Sequence, residues 1–456
     1  MNGIKFLLPA LLVLLLVQSA GLTLLESVSV SLAVYAFLRF IDGLGKRLVI
    51  VDLIAVLATL MWLVIPIIFF YIYNEQNPLA KLWLVYIPVS SDEYYSYVLP
   101  ATVFMLLGLY FPFRYVQQNN HILWIEHVRK YLPGKENAAI LLLGIGFFCT
   151  FAGRIAPGSL GFVFKLGSDL LFVAIFYALY SNLAYKKLII GVVAGFLVLK
   201  SLSGGMFGEL VFLAILTLVL YLVGRKEKFS FTFKIGIIIA GFFSLILLQS
   251  VKHAYRDVIW LTNYEGNKAV LFVNMLTERL LNPAKIWEDD YMTFNIAVRA
   301  NQGLMIGQVL DYIPEKKDIS YGKDITLAIA SSFVPRVLWN NKPIAGGRYN
   351  MLRYAGVVVR QYSMNVSAAG EAYGNFGKWG GIVFMFFYGL FFSYAVSVIL
   401  KLCIRYPSLI LWIPFLFYHS VVVETDVLSV LNYLLKASFF AWVIYSGFRW
   451  FLKINI

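Results

Sequence analysis

Apolar runs long enough to cross a bilayer, separated by short polar links, decide what this chain can fold into. They fall at roughly residues 4–22, 24–40, 48–73, 97–113, 138–154, 158–184, 187–203, 206–223, 234–252, 379–401, 408–424 and 430–448. A hydrocarbon core takes about 20 apolar residues per helix. Backbone groups inside it must bond to one another, which makes each run a helix. With 61% apolar and 14% charged residues and a mean hydropathy of +0.78, a soluble globular protein is excluded, since its charged fraction is about a quarter. The expectation is an all-α polytopic membrane protein of about twelve transmembrane helices. Ile4–Ala20 has the length of a signal-peptide core but no clean small-residue cleavage site after it, so it is expected to be retained as the first helix.

Charge then orients the runs. The formal net charge is +14, and Lys and Arg are retained on the cytoplasmic side. With the N-terminus inside, the inner segments are Arg39–Arg47, Arg114–Lys135, Tyr185–Lys187, Arg225–Lys234, Lys401–Arg405 and Arg449–Lys453, each of them basic. Both termini are therefore expected to be cytoplasmic. The chain divides into a nine-helix region (1–252), a large extracytoplasmic loop with short helices (253–378) and a three-helix region (379–456). The loop carries fourteen basic and eleven acidic residues; long loops translocate largely regardless of charge. Residues 325–339 are apolar but short and interrupted by Pro335-Arg336, which reads as a re-entrant or interfacial segment. The cations are spread over many short loops, so nucleic acid is excluded as a partner. Cys149 and Cys403 lie in apolar runs and give neither a disulfide framework nor metal-ligand spacing.

Ionisable residues inside the spans cluster by depth. Lys165 and Asp169, four residues apart, share a helix face and can pair. Lys200 and Glu209 fall at the same expected outer level, and Glu424 and Asp426 join them; Asp52 falls near the inner face. Such charges either fix helix packing as ion pairs or line a cavity opening outward. The cavity is the expectation taken forward.

Above that level, Ile325–Gly370 contains Arg336, Lys342, Arg348, Arg353 and Arg360 and no Asp or Glu. A diphosphate matches the planar guanidinium fork. Trp339, Tyr349, Tyr354 and Tyr362 are interleaved with these cations, and aromatic faces beside arginine suit sugar rings. Arg353 and Arg360 would share a face if residues 350–362 form a helix, with Arg348 just before it. The alternative is a set of solvated or headgroup-binding arginines. Lys-His-Ala-Tyr-Arg opens the loop with His253 and Arg256; His253 is a candidate general base at neutral pH or a helix-end histidine bonded to backbone. Glu371, the first acid after the arginines, either pairs with them or accepts a proton from a sugar hydroxyl. Glu288-Asp289-Asp290 reads as a solvated run before it reads as a divalent-ion site. No metal and no cofactor are expected.

Val334-Pro335-Arg336-Val337-Leu338-Trp339-Asn340-Asn341-Lys342-Pro343, followed by Gly370-Glu371-Ala372-Tyr373-Gly374-Asn375-Phe376-Gly377, resembles the signature region of bacterial oligosaccharide repeat-unit polymerases. These are the Wzy-type enzymes of O-antigen, capsule and exopolysaccharide assembly. Arg336 and Gly347, with ten residues between them, resemble an Arg-x10-Gly pattern of that family, and the layout extends the resemblance over the whole chain. Relatives often carry Ser-Arg-Gly where this chain has Ser203-Gly204-Gly205, so Lys200 or Arg154 would have to supply that phosphate contact. The resemblance implies a glycosyltransferase in the bacterial cytoplasmic membrane, acting on undecaprenyl-diphosphate-linked oligosaccharide on the outer face. A flippase and a chain-length regulator would be its partners, and membrane lipid its surroundings. Arg336, Arg348, Arg353, Arg360, Lys342 and Arg256 would hold diphosphate, with Trp339 and Tyr373 against sugar or loop. His253 or Glu371 would be the base, and Lys165, Asp169, Lys200 and Glu209 would line the cavity. An O-antigen ligase, a metal-dependent transferase using a polyprenyl-monophosphate sugar, and a transporter are the other classes, transport fitting least because the inner halves of the spans are nearly uncharged.

Overall fold

The computed structural model describes residues 6–113, 121–157, 160–225, 229–262, 264–334, 339, 342–343, 346–359, 364–451 and 453–454. Among the described residues every regular element is helical. Seven helices are long and apolar enough to cross a membrane, and a bent pair makes an eighth. The chain is thus an all-helical protein with several membrane-spanning helices.

Helix α1 (Leu7–Ser19) pairs with α2 (Leu24–Gly43). Thr23 and Glu26 form a reciprocal capping box at the start of α2, satisfying two orphan N–H groups. Helix α3 (Ile50–Tyr71) is α-helical except for a π turn at Leu60–Val64. Pro66 explains that turn: it has no N–H to offer the Trp62 carbonyl one turn back. The freed carbonyls are taken by tyrosines of α4 (Ser91–Leu109). Tyr94 donates to Trp62 O at 2.8 Å and Tyr95 to Leu63 O at 2.6 Å. Glu26, fully buried, also accepts from Tyr71 (2.9 Å) and Ser91 (2.5 Å), tying α2, α3 and α4 together.

Helix α5 (His121–Tyr131) meets α6 (Glu136–Ala152) at 99°. Helices α7 (Gly161–Tyr180), α8 (Lys186–Gly204), α9 (Gly208–Val223) and α10 (Phe231–Leu261) follow as successive antiparallel runs. Short helices then build the long connection: α11 (Lys268–Leu281), α12 (Asp290–Ala300), α13 (Gly303–Tyr312), α14 (Lys323–Phe333) and α15 (Gly347–Ala355). Helix α16 (Ser367–Arg405) starts inside the expected loop and breaks at Gly377, whose φ of 66° and ψ of −168° only glycine tolerates easily. The run 408–424, expected as one span, is a chain of short buried helices, Pro407–Trp412, Ile413–Leu416 and Tyr418–Val421. Pro407 and Pro414 withhold N–H groups there, and irregular backbone is tolerated at membrane depth where protein surrounds it. Helix α17 (Val427–Trp450) closes the bundle.

Two glycine contacts set the central crossing of α4 and α16. A Cβ on Gly108 would run into the Phe386 carbonyl, and one on Gly389 into the Met105 carbonyl; small residues let membrane helices approach backbone to backbone. One end of the bundle is basic: Asp52, fully buried, binds Arg39 at 3.0 Å and Arg47 at 2.6 Å, Lys234 donates to the Ile41 and Asp42 carbonyls, and Arg129 to the Gly224 carbonyl. Gly389→Val should cost about 1–3 kcal/mol by overpacking and lower the melting temperature in detergent by several degrees. Gly241→Ala, whose added Cβ meets nothing within 4 Å, should melt as wild type. Equal melting of both variants would remove the close crossing as a source of stability.

Candidate functional site

At the end opposite the basic one, residues from helices far apart in the chain meet. Lys165 Nζ lies 3.1 Å from Asp169 Oδ2, one turn along α7, and 2.9 Å from Glu209 Oε1 in the first turn of α9. Lys200, near the end of α8, donates to Ser168 Oγ at 2.7 Å, and Thr150 of α6 donates to the same oxygen at 2.8 Å. Of the six residues expected to share a depth, Lys165, Asp169, Lys200 and Glu209 come together here, while Glu424 and Asp426 bond other partners. The Tyr418 ring lies 5.6 Å from Lys165 Nζ, and His419 packs on Tyr433 with ring centroids 4.3 Å apart. The Tyr433 hydroxyl and His419 Nδ1 are buried with no partner among the described residues.

The rim is cationic. Arg256 Nε donates to the Gly205 carbonyl at 2.8 Å, and its guanidinium lies 4.7 Å from the Trp260 ring. Arg299 of α12 grips Glu424 with both terminal nitrogens, at 2.5 and 2.7 Å. The Glu424 carboxylate holds the Arg299 guanidinium above the ordinary arginine range, against the opposing effect of burial. Arg299 escaped the sequence reading because its partner lies 125 residues away.

The acid-free stretch is less uniform than its composition suggests. Helix α15 runs Gly347–Ala355 and ends at Gly356, at φ 66°. Arg348 therefore lies in its first turn, not before it, and the helix stops short of Arg360. Arg336 and Arg360 lie outside the described residues. Arg348 is exposed, with no ion-pair partner among the described residues. Arg353 Nε binds Asp324 Oδ2 at 2.9 Å, an acid one position upstream of the acid-free window. Burial works against the Arg353 charge, but the Asp324 hydrogen bond and charge outweigh it and raise its pKa. Lys342 is buried and donates to the Val334 carbonyl at 2.9 Å. Trp339 is half-buried, and Tyr373 packs edge-on against Tyr97 with centroids 4.8 Å apart.

Glu371 is sealed between α16 and α17. Its Oε2 accepts the Val427 N–H at 2.8 Å, and a helix N-terminus favours such a carboxylate. Asp426 caps the same helix through Ser429 N at 2.7 Å and accepts from Asn365 Nδ2 at 2.6 Å. Asn375 joins Glu371 to the loop, donating to the Glu371 carbonyl at 2.8 Å and to Tyr354 Oη at 2.9 Å. Tyr354 in turn donates to Asp324 at 3.2 Å; burial first, then the Glu371 and Asp324 charges, push its hydroxyl pKa up. His253, by contrast, is exposed on α10 and shares no contact with Glu371. Asp289 caps α12 by accepting from Met292 N at 3.0 Å, and among the described residues no three His, Cys, Asp or Glu side chains gather as metal ligands.

A family model described as Domain of unknown function (DUF8712) matches residues 116–401, more than half of the chain. The chain belongs to this family. The DUF8712 match takes in α6–α10, the whole long connection and most of α16, and so both the buried network and the arginine helix. No curated protein and no solved structure matches the chain.

Replacing Lys165 with Met would leave Asp169, 1% exposed, without its cation. Such a break should cost about 3 kcal/mol in thermal unfolding. Lys165→Met combined with Asp169→Leu should regain most of that loss. A double variant no better than the single one would show that the pair is not coupled.

Proposed function

We propose that this DUF8712 protein is a metal-independent glycosyltransferase of the repeat-unit polymerase type. It moves a growing glycan from undecaprenyl diphosphate onto the terminal hydroxyl of a second lipid-linked repeat unit, for O-antigen, capsule or exopolysaccharide. The observation that supports this most is the polar knot shared by α6–α9, with Arg256 of α10 and the Arg299–Glu424 pair beside it. In this reading the chain crosses the bacterial cytoplasmic membrane twelve times with both termini inside. The end carrying Arg39, Arg47, Arg129 and Lys234 faces the cytoplasm, so the polar knot and loop face outward.

The diphosphate is already a good leaving group, so positioning and charge stabilisation carry the reaction. The acceptor hydroxyl oxygen attacks the anomeric carbon, the bond to the diphosphate oxygen breaks with its electron pair, and the hydroxyl proton passes to a base. Arg348, with Arg336 and Arg360, takes the diphosphate charge; Arg353, fixed by Asp324, positions α15. Glu371 serves as base when acceptor binding opens the α16–α17 contact. His253, already exposed at the rim, is the base in the ligase alternative, where the acceptor is lipid A. A flippase supplying repeat units and a chain-length regulator are the expected partners.

Surface glycan from a deletion strain tests the reading. Deletion should leave single repeat units on their normal anchor, wild type should restore the ladder, and Arg336→Ala or Arg348→Ala should cut it by about 10²-fold. Long chains held on the carrier lipid would replace polymerase by ligase. Repeats each lacking one sugar would replace it by a monophosphate-dependent transferase.

A further inference from the structure

Helix α10 is held toward its two ends and has a bare stretch in its middle. At one end Lys234 Nζ donates to the Ile41 and Asp42 carbonyls of α2, at 3.0 and 3.3 Å. At the other, the Tyr255 hydroxyl donates to the Leu202 carbonyl at 2.7 Å and Arg256 Nε to the Gly205 carbonyl at 2.8 Å. Tyr255 there packs with Phe207 and Phe272 in a small cluster separate from the main core. Between these ties, residues 239–244 are exposed without exception. Six consecutive residues at about 100° each cover every face of a helix and about 9 Å of its length. Phe242 is 58% exposed and Ile239 63%, and a Cβ on Gly236 or Gly241 would meet nothing within 4 Å. A surface helix normally buries one stripe against its bundle. This stretch buries none, so α10 stands as a strut with an apolar opening on its inner side.

The strut leads up to a group of cations. Of the carboxylates at that end, Asp169 and Glu209 are bound by Lys165, Glu424 by Arg299, Asp426 by Asn365 and Ser429, and Glu371 by the Val427 N–H. Asp257 lies on the exposed face of α10, beside His253. Lys200, Lys252 and Arg256 have no bonded carboxylate among the described residues. Lys200 bonds a serine hydroxyl, Arg256 a backbone carbonyl, and Lys252, two turns above Ser244, has no bonded partner. An apolar opening in the membrane-spanning part, topped by Lys and Arg that no carboxylate bonds, matches a ligand with a hydrocarbon tail and a phosphate head.

We propose that the opening behind α10 is a lateral portal that admits the hydrocarbon tail of a lipid-linked diphosphate, while Lys200, Lys252 and Arg256 hold its head group. The identity of the lipid rests on the polymerase reading; the portal itself rests on the bare stretch of α10 and the cations above it. It separates two tasks within one site: Arg256 and the two lysines receive the carrier lipid at the rim, and the arginines of the loop act on the diphosphate during transfer.

Photo-crosslinking on the full chain tests it. Benzoylphenylalanine replaces Phe242, or Phe104 on the exposed face of α4 as a control, in vesicles of phosphatidylglycerol containing a minor fraction of tagged polyprenyl diphosphate. Position 242 should capture the tagged lipid and position 104 bulk phospholipid. Lys252→Gln should reduce capture at 242 at least about tenfold, the loss of one charge-assisted hydrogen bond. Gly241→Trp, which fills open space, should do the same while keeping the wild-type melting temperature. Capture of bulk phospholipid alone at 242, indifferent to Lys252, would overturn the portal, as would crosslinking to a second copy of the chain. If 242 captures the diphosphate lipid but deletion leaves long chains intact, the portal stands and the polymerase reading falls. The reverse outcome removes the portal alone.

Discussion

Lys165 holds two carboxylates from two different helices, and none of these charges can be left without its partner inside a membrane. An ammonium or carboxylate stripped of water costs several kcal/mol unless a partner sits in contact. Lys165 meets that demand for Asp169 along α7 and for Glu209 across to α9. Ser168, between them in sequence, collects Lys200 and Thr150, so α6, α7, α8 and α9 share one polar knot. The depth of that knot fixes where the other polar ends of the bundle can lie. Arg256 and the Arg299–Glu424 pair close around it.

The same logic governs the backbone. Pro66 costs α3 an N–H, and Tyr94 supplies the missing donor to Trp62. Glu371 and Asp426 meet the free N–H groups at the start of α17, a need that any helix beginning inside protein has to answer. Glu371 thus has two demands on it in the proposed mechanism. It anchors α17 at rest, and it takes a proton only once the acceptor has parted α16 from α17.

Much of this was legible from the residues. Apolar run length located most spans, because a bilayer imposes a nearly fixed length on a helix. Depth alone grouped Lys165, Asp169, Lys200 and Glu209 with Glu424 and Asp426, because charges in hydrocarbon have few places to go; the first four meet, and the last two bond Arg299, Asn365 and Ser429. What stayed hidden depended on tertiary partners or on local backbone. The shared face imagined for Arg353 and Arg360 fails at Gly356, where the chain turns left-handed. The ion pair of Arg353 was hidden because its partner, Asp324, lies one residue before the acid-free stretch. Run length also misread 408–424, since a segment wrapped in protein needs to be apolar but need not be one helix. Lys342 counted as a ligand-binding cation by composition, yet it is buried on the Val334 carbonyl.

The central claim is that this chain lengthens glycans by expelling a lipid diphosphate. Purified chain in vesicles, given polyprenyl-diphosphate-linked repeat units and a chelator, tests it most directly. The account predicts glycans of two and more repeats, with one polyprenyl diphosphate released for each new linkage. No chain growth, or growth that appears only when a polyprenyl-monophosphate sugar and a divalent ion are supplied, would contradict it.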